Sequence, residues 1–306
     1  MGKVHDLIII GSGPAGLSAA VYAQRAELDT LVIEKDMMSG GQILKTYEVD
    51  NYPGLPGISG IDLGLKLREH ADKLGTEFTE DTVLNAQLEG PVKKIICENG
   101  TYEAKVMIIA TGASHKKLGV PGEELFSGAG VSYCATCDGA FFKEKVTAVV
   151  GGGDVALEDA IFLSRLCKKV YVIHRRDEFR GVKSLQNKIF SLDNVEVIWN
   201  SEVEQIDGDG KLDRIHLHNR KTEKKDSLKV DGLFVAVGME PESLVFRNLI
   251  ETDEKGYITA GEDGQTSIPG VFAAGDVRTK ELRQVITAAA DGANCITSVE
   301  RYLAEN

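Results

Sequence analysis

Cys134 and Cys137 are separated by Ala135 and Thr136. Two intervening residues let the thiols meet in a small ring that opens and closes reversibly, which is the chemistry of a redox dithiol. Asp138 follows the second cysteine directly and is placed either to shuttle a proton as a thiolate leaves or to serve as a turn or cap residue. Zinc is the structural alternative. A closed zinc site needs four ligands, and the sequence has no second C-x-x-C and no suitably spaced His/Cys pair, so no metal site is expected. The other three of the five cysteines, Cys97, Cys167 and Cys295, are scattered through strand-like or helix-like segments. This is not a disulfide framework.

A dithiol that cycles needs an electron source, and the segments around it read as nucleotide sites. The apolar run Asp6 to Ile10 leads into Gly11-Ser12-Gly13-Pro14-Ala15-Gly16, then a helix-like stretch to Arg25, then a second apolar run, Thr30 to Ile33, ending at Glu34 and Lys35. A G-x-G-x-x-G alone is weak evidence. Here it opens a βαβ unit with an acid about 20 residues on, which is the required context. The glycines admit a pyrophosphate to a helix N-terminus, where unpaired N–H groups favour anions, and Glu34 is expected to accept from a ribose hydroxyl.

The pattern recurs 140 residues later. Thr147 to Val150 is again apolar, Gly151-Gly152-Gly153-Asp154-Val155-Ala156 follows, and a strand Val170 to Ile173 ends at His174. Gly11, Gly13, Gly16 and Glu34 thus correspond to Gly151, Gly153, Ala156 and His174. The acid has given way to His174-Arg175-Arg176-Asp177-Glu178-Phe179-Arg180. Permanently charged, forked donors at Arg175, Arg176 and Arg180 suit a phosphate dianion, so this second site is expected to prefer NADPH over NADH.

Other segments complete the first site. Ser39-Gly40-Gly41-Gln42 and Asn51-Tyr52-Pro53-Gly54 form a glycine-bearing loop that either approaches a cofactor or is a surface turn. A turn and strand end at Gly275-Asp276, and Arg283-Gln284-Val285 opens an Ala-rich helix. Asp276 is read as a partner for a ribityl hydroxyl or as an N-cap, and the amides near Gln284 and Val285 as stabilising charge on a reduced flavin, so that this site takes FAD. Ile108 to Gly112, with Thr111 and Gly112 as candidate cofactor contacts, and Phe234 to Gly238 bracket the second βαβ unit.

These elements give an α/β fold of two Rossmann-like domains, with an NADPH domain carrying the dithiol, 115–244, inserted in an FAD domain built from 1–114 and 245–306. A chain of 306 residues with a formal charge of −12 lacks the basic stripe that phosphate backbones or anionic lipid demand, so nucleic acid is excluded as a partner. No secretory signal is read at Met1 to His5, and no apolar run is long enough for a membrane helix. A soluble, cytoplasmic protein is expected.

With these motifs in view, the sequence resembles the low-molecular-weight, bacterial-type thioredoxin reductases along essentially its whole length. The motifs are GSGPAG at 11–16, GGQ at 40–42, ATGA at 110–113, CATCDG at 134–139, GGGDVA at 151–156, HRRDEFR at 174–180, and GVFAAGDV with RQVIT at 270–277 and 283–287. The resemblance implies a homodimer with one FAD per subunit, thioredoxin as the protein substrate, the family's roles for Cys134, Cys137, Asp138, Arg175, Arg176 and Arg180, and rotation of the inserted domain during turnover. Val155 departs from the pattern, since many members place a small hydroxyl residue there. Two other readings keep part of this scheme: a relative with ferredoxin as donor or a glutaredoxin-like or peroxidase partner as acceptor, and a non-catalytic flavoprotein that senses redox state.

Overall fold

The computed structural model describes residues 3–46, Val49 and 51–306. Two compact units are found. One gathers the chain up to Lys45 with Tyr52–Ser114 and Glu240–Asn306, and the other contains His115–Met239 with the described part of Thr46–Asn51.

In the first unit the chain runs β1 (Val4–Ile10), α1 (Pro14–Arg25), β2 (Thr30–Glu34), α2 (Gly60–Lys73), β3 (Glu77–Glu80), β4 (Val83–Gln87), β5 (Lys93–Cys97) and β6 (Thr101–Ile109), then leaves through β7 (Ala113–His115). The second unit follows with β8 (Val131–Ser132), α3 (Ala135–Asp138), β9 (Val146–Val150), α4 (Asp154–Ser164), β10 (Lys169–Ile173), α5 (Lys183–Phe190), β11 (Val195–Ile198), β12 (Ser201–Gly208), β13 (Leu212–Asn219), β14 (Lys225–Lys229) and β15 (Gly232–Val235). The chain returns through β16 (Met239–Pro241), and β17 (Val271–Ala273) and α6 (Val285–Glu305) complete the first unit.

The first sheet has the order β3-β2-β1-β6-β5-β4, with β17 also paired to β6. Strand β6 serves two partners on one side: Thr101 to Ala104 pair with β5, and Met107 to Ile109 pair in parallel with β17. Leu7, Ile8 and Ile9 of β1 are all fully buried. Leu7 and Ile9 join the core shared with α1 and α6, while Ile8 and Ile10 join that of Met107, Phe246 and Ile258. A sheet covered on both faces needs such an unbroken apolar strand. The second unit repeats the plan in the parallel sheet β11-β10-β9-β15-β8, beside the antiparallel sheet β12-β13-β14.

The internal repeat extends to strand register. Leu7 is opposite Thr30 and Ile10 opposite Ile33, and 140 residues on Thr147 is opposite Val170 and Val150 opposite Ile173. Gly11 N donates to Ile33 O at 2.8 Å, as Gly151 N does to Ile173 O at 3.1 Å. The fold is α/β with two Rossmann-like halves.

Candidate active site

In the second unit, Cys134 and Cys137 form a disulfide with their Cα atoms 5.3 Å apart. Cys134 caps α3 with extended backbone and Cys137 lies in its single turn, which brings the two sulfurs to the same end. Both residues are partly exposed. Ser132, which is buried, donates from Oγ to Asp138 Oδ2 at 2.6 Å, and its oxygen accepts from Cys134 N at 3.1 Å. Burial raises the Asp138 carboxyl above its ordinary range, against the opposing effect of the Ser132 bond. Asp138 Oδ1 is buried without a partner among the described residues. On the other side of Cys134, Tyr133 donates from its hydroxyl to Glu123 Oε1 at 2.9 Å, and the same carboxylate accepts from Leu118 N and Gly119 N. The remaining thiols are buried. Burial lifts Cys97 and Cys295 to about 12 and also raises Cys167, so none of them is a thiolate near neutrality.

In the first unit the glycine turn is shaped by three separate constraints. Gly11 has φ +101°, and a Cβ there would stand 2.5 Å from Ala110 O. A Cβ on Gly16 would collide with Gly11 O, whereas one on Gly13 would meet nothing within 4 Å. The turn is therefore closed by backbone on one side and open at Gly13, the geometry a cofactor's pyrophosphate requires. Ser12, Pro14 and Ala15 carry the chain from the turn into α1. Gly41 approaches from the facing loop, where Gly40 N donates to Ser12 O at 2.9 Å, and the Gln42 side chain donates to Ala113 O.

Glu34 Oε2 accepts from Ser12 N at 2.7 Å and from Ser12 Oγ at 2.6 Å, while Oε1 accepts from Lys35 N and Asp36 N. A carboxylate with all four acceptor positions engaged also holds the turn in shape. Beside it opens a recess of about 210 Å³ whose lining includes Glu34, Met37, Arg68 and Phe78. Arg68 lies 3.5 Å above the Phe78 ring centre and is fixed by Ser39 Oγ and Asp72. Nothing in local spacing marked Arg68 or Phe78. The Lys35 and Asn51 side chains are exposed.

Gly275 and Asp276 lie in a short 3-10 turn rather than at the cap of α6, whose N-cap is Gln284. The expectation of free amides at both Gln284 and Val285 needs refinement: Gln284 N donates to Thr287 Oγ1 at 3.1 Å in a capping box, which leaves Val285 and Ile286, whose first-turn amides have no intrahelical acceptor. Asp276 Oδ1 and Arg283 Nε are buried without partners among the described residues. Burial raises the Asp276 carboxyl despite Lys280 and Arg283 nearby. An orphaned acceptor and an orphaned donor of this kind fit a polar ligand. Thr111 Oγ1 donates to Glu242 O at 2.7 Å, and Gly112 O accepts from Glu242 N at 3.0 Å.

The second glycine turn repeats the first: a Cβ on Gly151 would collide with Ala236 O, and Gly153 is open as Gly13 is. Asp154, expected at the cofactor, accepts from Val182 N at 2.7 Å and so fastens the loop after the arginines. The His174 ring is 5% exposed and packs against Gly152, where no Cβ would fit, and its Nε2 is buried without a partner among the described residues. Burial, helped by Arg180, Arg176 and Arg175, lowers its pKa and keeps it neutral. Those three arginines are exposed, and no carboxylate pairs with them among the described residues. Three exposed guanidinium groups close together in the sequence of a chain of charge −12 can hold an anion. Val155 is 63% exposed in the first turn of α4.

Residues 5–292 match the profile of the family described as pyridine nucleotide-disulphide oxidoreductase. The chain is 46% identical over 304 residues to a thioredoxin reductase of Listeria monocytogenes, covering 99% of this chain and 95% of that protein. It is 45% identical over 305 residues to the thioredoxin reductase of Bacillus subtilis, with 99% and 96% covered. The crystal structure of thioredoxin reductase from Streptococcus pyogenes superposes with a TM-score of 0.93 at 44% identity, with all of both chains covered.

Proposed function

The chain belongs to the thioredoxin reductases, within the pyridine nucleotide-disulphide oxidoreductase family, and on that premise we propose that it carries electrons from NADPH through FAD and the Cys134–Cys137 pair to oxidised thioredoxin. The observation that carries this reading is the single disulfide, formed by partly exposed cysteines beside an acid whose Oδ1 is buried, in a chain whose other described thiols are buried.

Bound FAD would accept a hydride equivalent and deliver the electron pair to a disulfide. The protein's part is positioning. Gly11 and Gly16 let the backbone close the turn and Gly13 would leave room for the pyrophosphate at the N-terminus of α1, Glu34 would stand beside the ribose, and the recess beside Arg68 and Phe78 would receive the adenine end. Gly41, Gln42, Asn51, Thr111 and Gly112 complete the walls. Asp276 would hold a ribityl hydroxyl with its unpartnered Oδ1, Arg283 would contribute its unpartnered Nε, and the Val285 and Ile286 amides would supply the helix end that favours negative charge on the flavin. In the other half Gly151 and Gly153 would take the nicotinamide cofactor's pyrophosphate, and Arg175, Arg176 and Arg180 would hold its 2'-phosphate beside His174.

Once the pair is reduced, one cysteine thiolate attacks the thioredoxin disulfide, forming a mixed disulfide and expelling one thioredoxin sulfur as a thiolate. The second cysteine then attacks the first. The Cys134–Cys137 bond re-forms and thioredoxin leaves with two thiols. Asp138, whose carboxyl burial pushes upward, passes a proton to the departing thioredoxin thiolate and regains one from the second enzyme thiol as that thiol becomes the attacking thiolate. A homodimer acting in the cytoplasm accords with the family and with free buried thiols, and no helix among the described residues is long and apolar enough to cross a membrane. NADPH-dependent reduction of thioredoxin by the FAD-loaded protein is the test. Failure with several thioredoxins would remove the assignment.

A further inference from the structure

Asp291, on the second turn of α6, is a buried carboxylate that the flavin reading does not use. Its Oδ2 accepts from Gly275 N at 2.9 Å, from Arg278 Nε at 2.8 Å and from Lys280 Nζ at 2.9 Å, and its Oδ1 accepts from Arg278 Nη2 at 2.7 Å. The Asp291 and Arg278 side chains are 4% exposed and that of Lys280 7%. Three ionised groups out of water are expensive to assemble, and the arrangement holds only because every oxygen of the carboxylate is engaged.

The bonds converge on one short segment. Gly275 has φ +78°, and a Cβ there would stand 2.8 Å from the Ala15 Cβ of α1. Its amide is directed at Asp291, so the residue just before Asp276 is fixed in the left-handed region from behind. Arg278 extends the brace: Nη1 donates to Ala260 O and Thr279 O, and its carbonyl accepts from Arg283 Nη2 at 3.4 Å. Arg283 in turn lies 4.2 Å above the Tyr257 ring centre. Two orphaned groups of this half, Asp276 Oδ1 and Arg283 Nε, thus stand on a frame anchored at one carboxylate.

We propose that Asp291, clamped by Arg278 and Lys280, is a positioning residue that presets the Gly275–Asp276 turn and Arg283 to receive the flavin. The proposal rests on the reading of Asp276 as a flavin contact. Arg278 also meets the exposed Glu262 at 3.6 Å, and Lys280 acts on Asp276 through space, so loosening the cluster changes the field at the flavin as well as the fit.

The test compares holoenzyme carrying Asp291→Asn, Asp291→Glu, Lys280→Met or Asp276→Asn. FAD release is followed by flavin fluorescence, and the flavin midpoint potential by redox titration. Asp291→Asn should weaken FAD binding roughly tenfold or more and shift the potential, with Asp291→Glu recovering part of both and Lys280→Met giving a smaller change of the same kind. Should Asp291→Asn fail to fold, Lys280→Met carries the decision. Unchanged affinity and potential in Asp291→Asn, or in Lys280→Met where it must decide, together with weakened binding in Asp276→Asn, would overturn the positioning role while sparing the flavin reading. Unchanged binding in Asp276→Asn as well would remove that reading.

Discussion

Ser132 and Asp138 share a 2.6 Å hydrogen bond, and through the same hydroxyl Asp138 is tied to the backbone of Cys134. The acid and the dithiol are therefore one assembly. Asp138→Asn removes the proton donor and should lower thioredoxin reduction by about 10²–10⁴-fold. In Ser132→Ala the carboxylate loses the bond that stabilises its charge, so the Asp138 pKa moves further up. The limb of the pH–rate profile that reports it should move to higher pH, and an unmoved limb would dissociate the two residues.

Reactive sulfur is confined to one pair. Cys134→Ser or Cys137→Ser should abolish thioredoxin reduction while leaving anaerobic bleaching of the flavin by NADPH intact. That bleaching also discriminates against a ferredoxin donor. In the reduced native protein a thiol reagent should label two cysteines rapidly, and Cys97, Cys167 and Cys295 only after unfolding.

The arginine trio sets the nicotinamide preference. Replacing Arg175, Arg176 and Arg180 by neutral residues should raise KM for NADPH by about 10²-fold and leave NADH use nearly unchanged, since each charge-assisted contact contributes roughly 1.5–3 kcal/mol and the three overlap on one phosphate. Steady-state kinetics with both cofactors, at low and high salt, would show it.

Asp159 on α4 is raised to about 7 by burial, with Glu158 adding to the effect. Below about pH 4 the folded and unfolded chains both keep this proton and nothing is lost. Between about 4 and 7 the unfolded chain has released it while the folded chain has not, so stability falls as pH rises, and above 7 the loss is complete. Asp159→Asn should therefore stabilise the protein near pH 8, by at most about 4 kcal/mol, and the gain should vanish toward pH 4. Denaturant melts at the two pH values would decide.

The glycine turns, the acid and the arginines were legible because a βαβ unit is local: Gly11 through Glu34 lie in one stretch, and the second copy repeats it register for register. What could not be read is what arrives from elsewhere in the chain. Spacing marks Thr111 and Gly112 as cofactor contacts and the Phe234 to Gly238 segment as a bracket, but it gives no sign that Ala110 and Ala236 carry the carbonyls that lie against Gly11 and Gly151. Arg68 meets Phe78 across a helix and a strand, and Asp291 meets Gly275 across 16 positions with no periodic signal. Glu34 was placed correctly at the end of β2, but its engagement by Ser12 depends on side-chain rotamers that spacing does not encode. Ser132 lies only six residues before Asp138, but a single serine at that distance carries no signal that its hydroxyl will turn to the acid.

The contact between α6 and α1 is so close that Gly292 has no room for a Cβ beside Ala15 O, and Ser18 Oγ donates to Ala289 O at 2.7 Å. The two bonded residues are 271 positions apart in the sequence. A nascent protein emerging from the ribosome can assemble β1, α1 and β2 early, but the buried face of α1 must wait for residues 285–305, while His115–Met239 already has all its strands. Vectorial synthesis therefore completes the inserted half before the flanking half can bury its first helix, so that loss of α6 uncovers a glycine turn whose own residues lie far upstream.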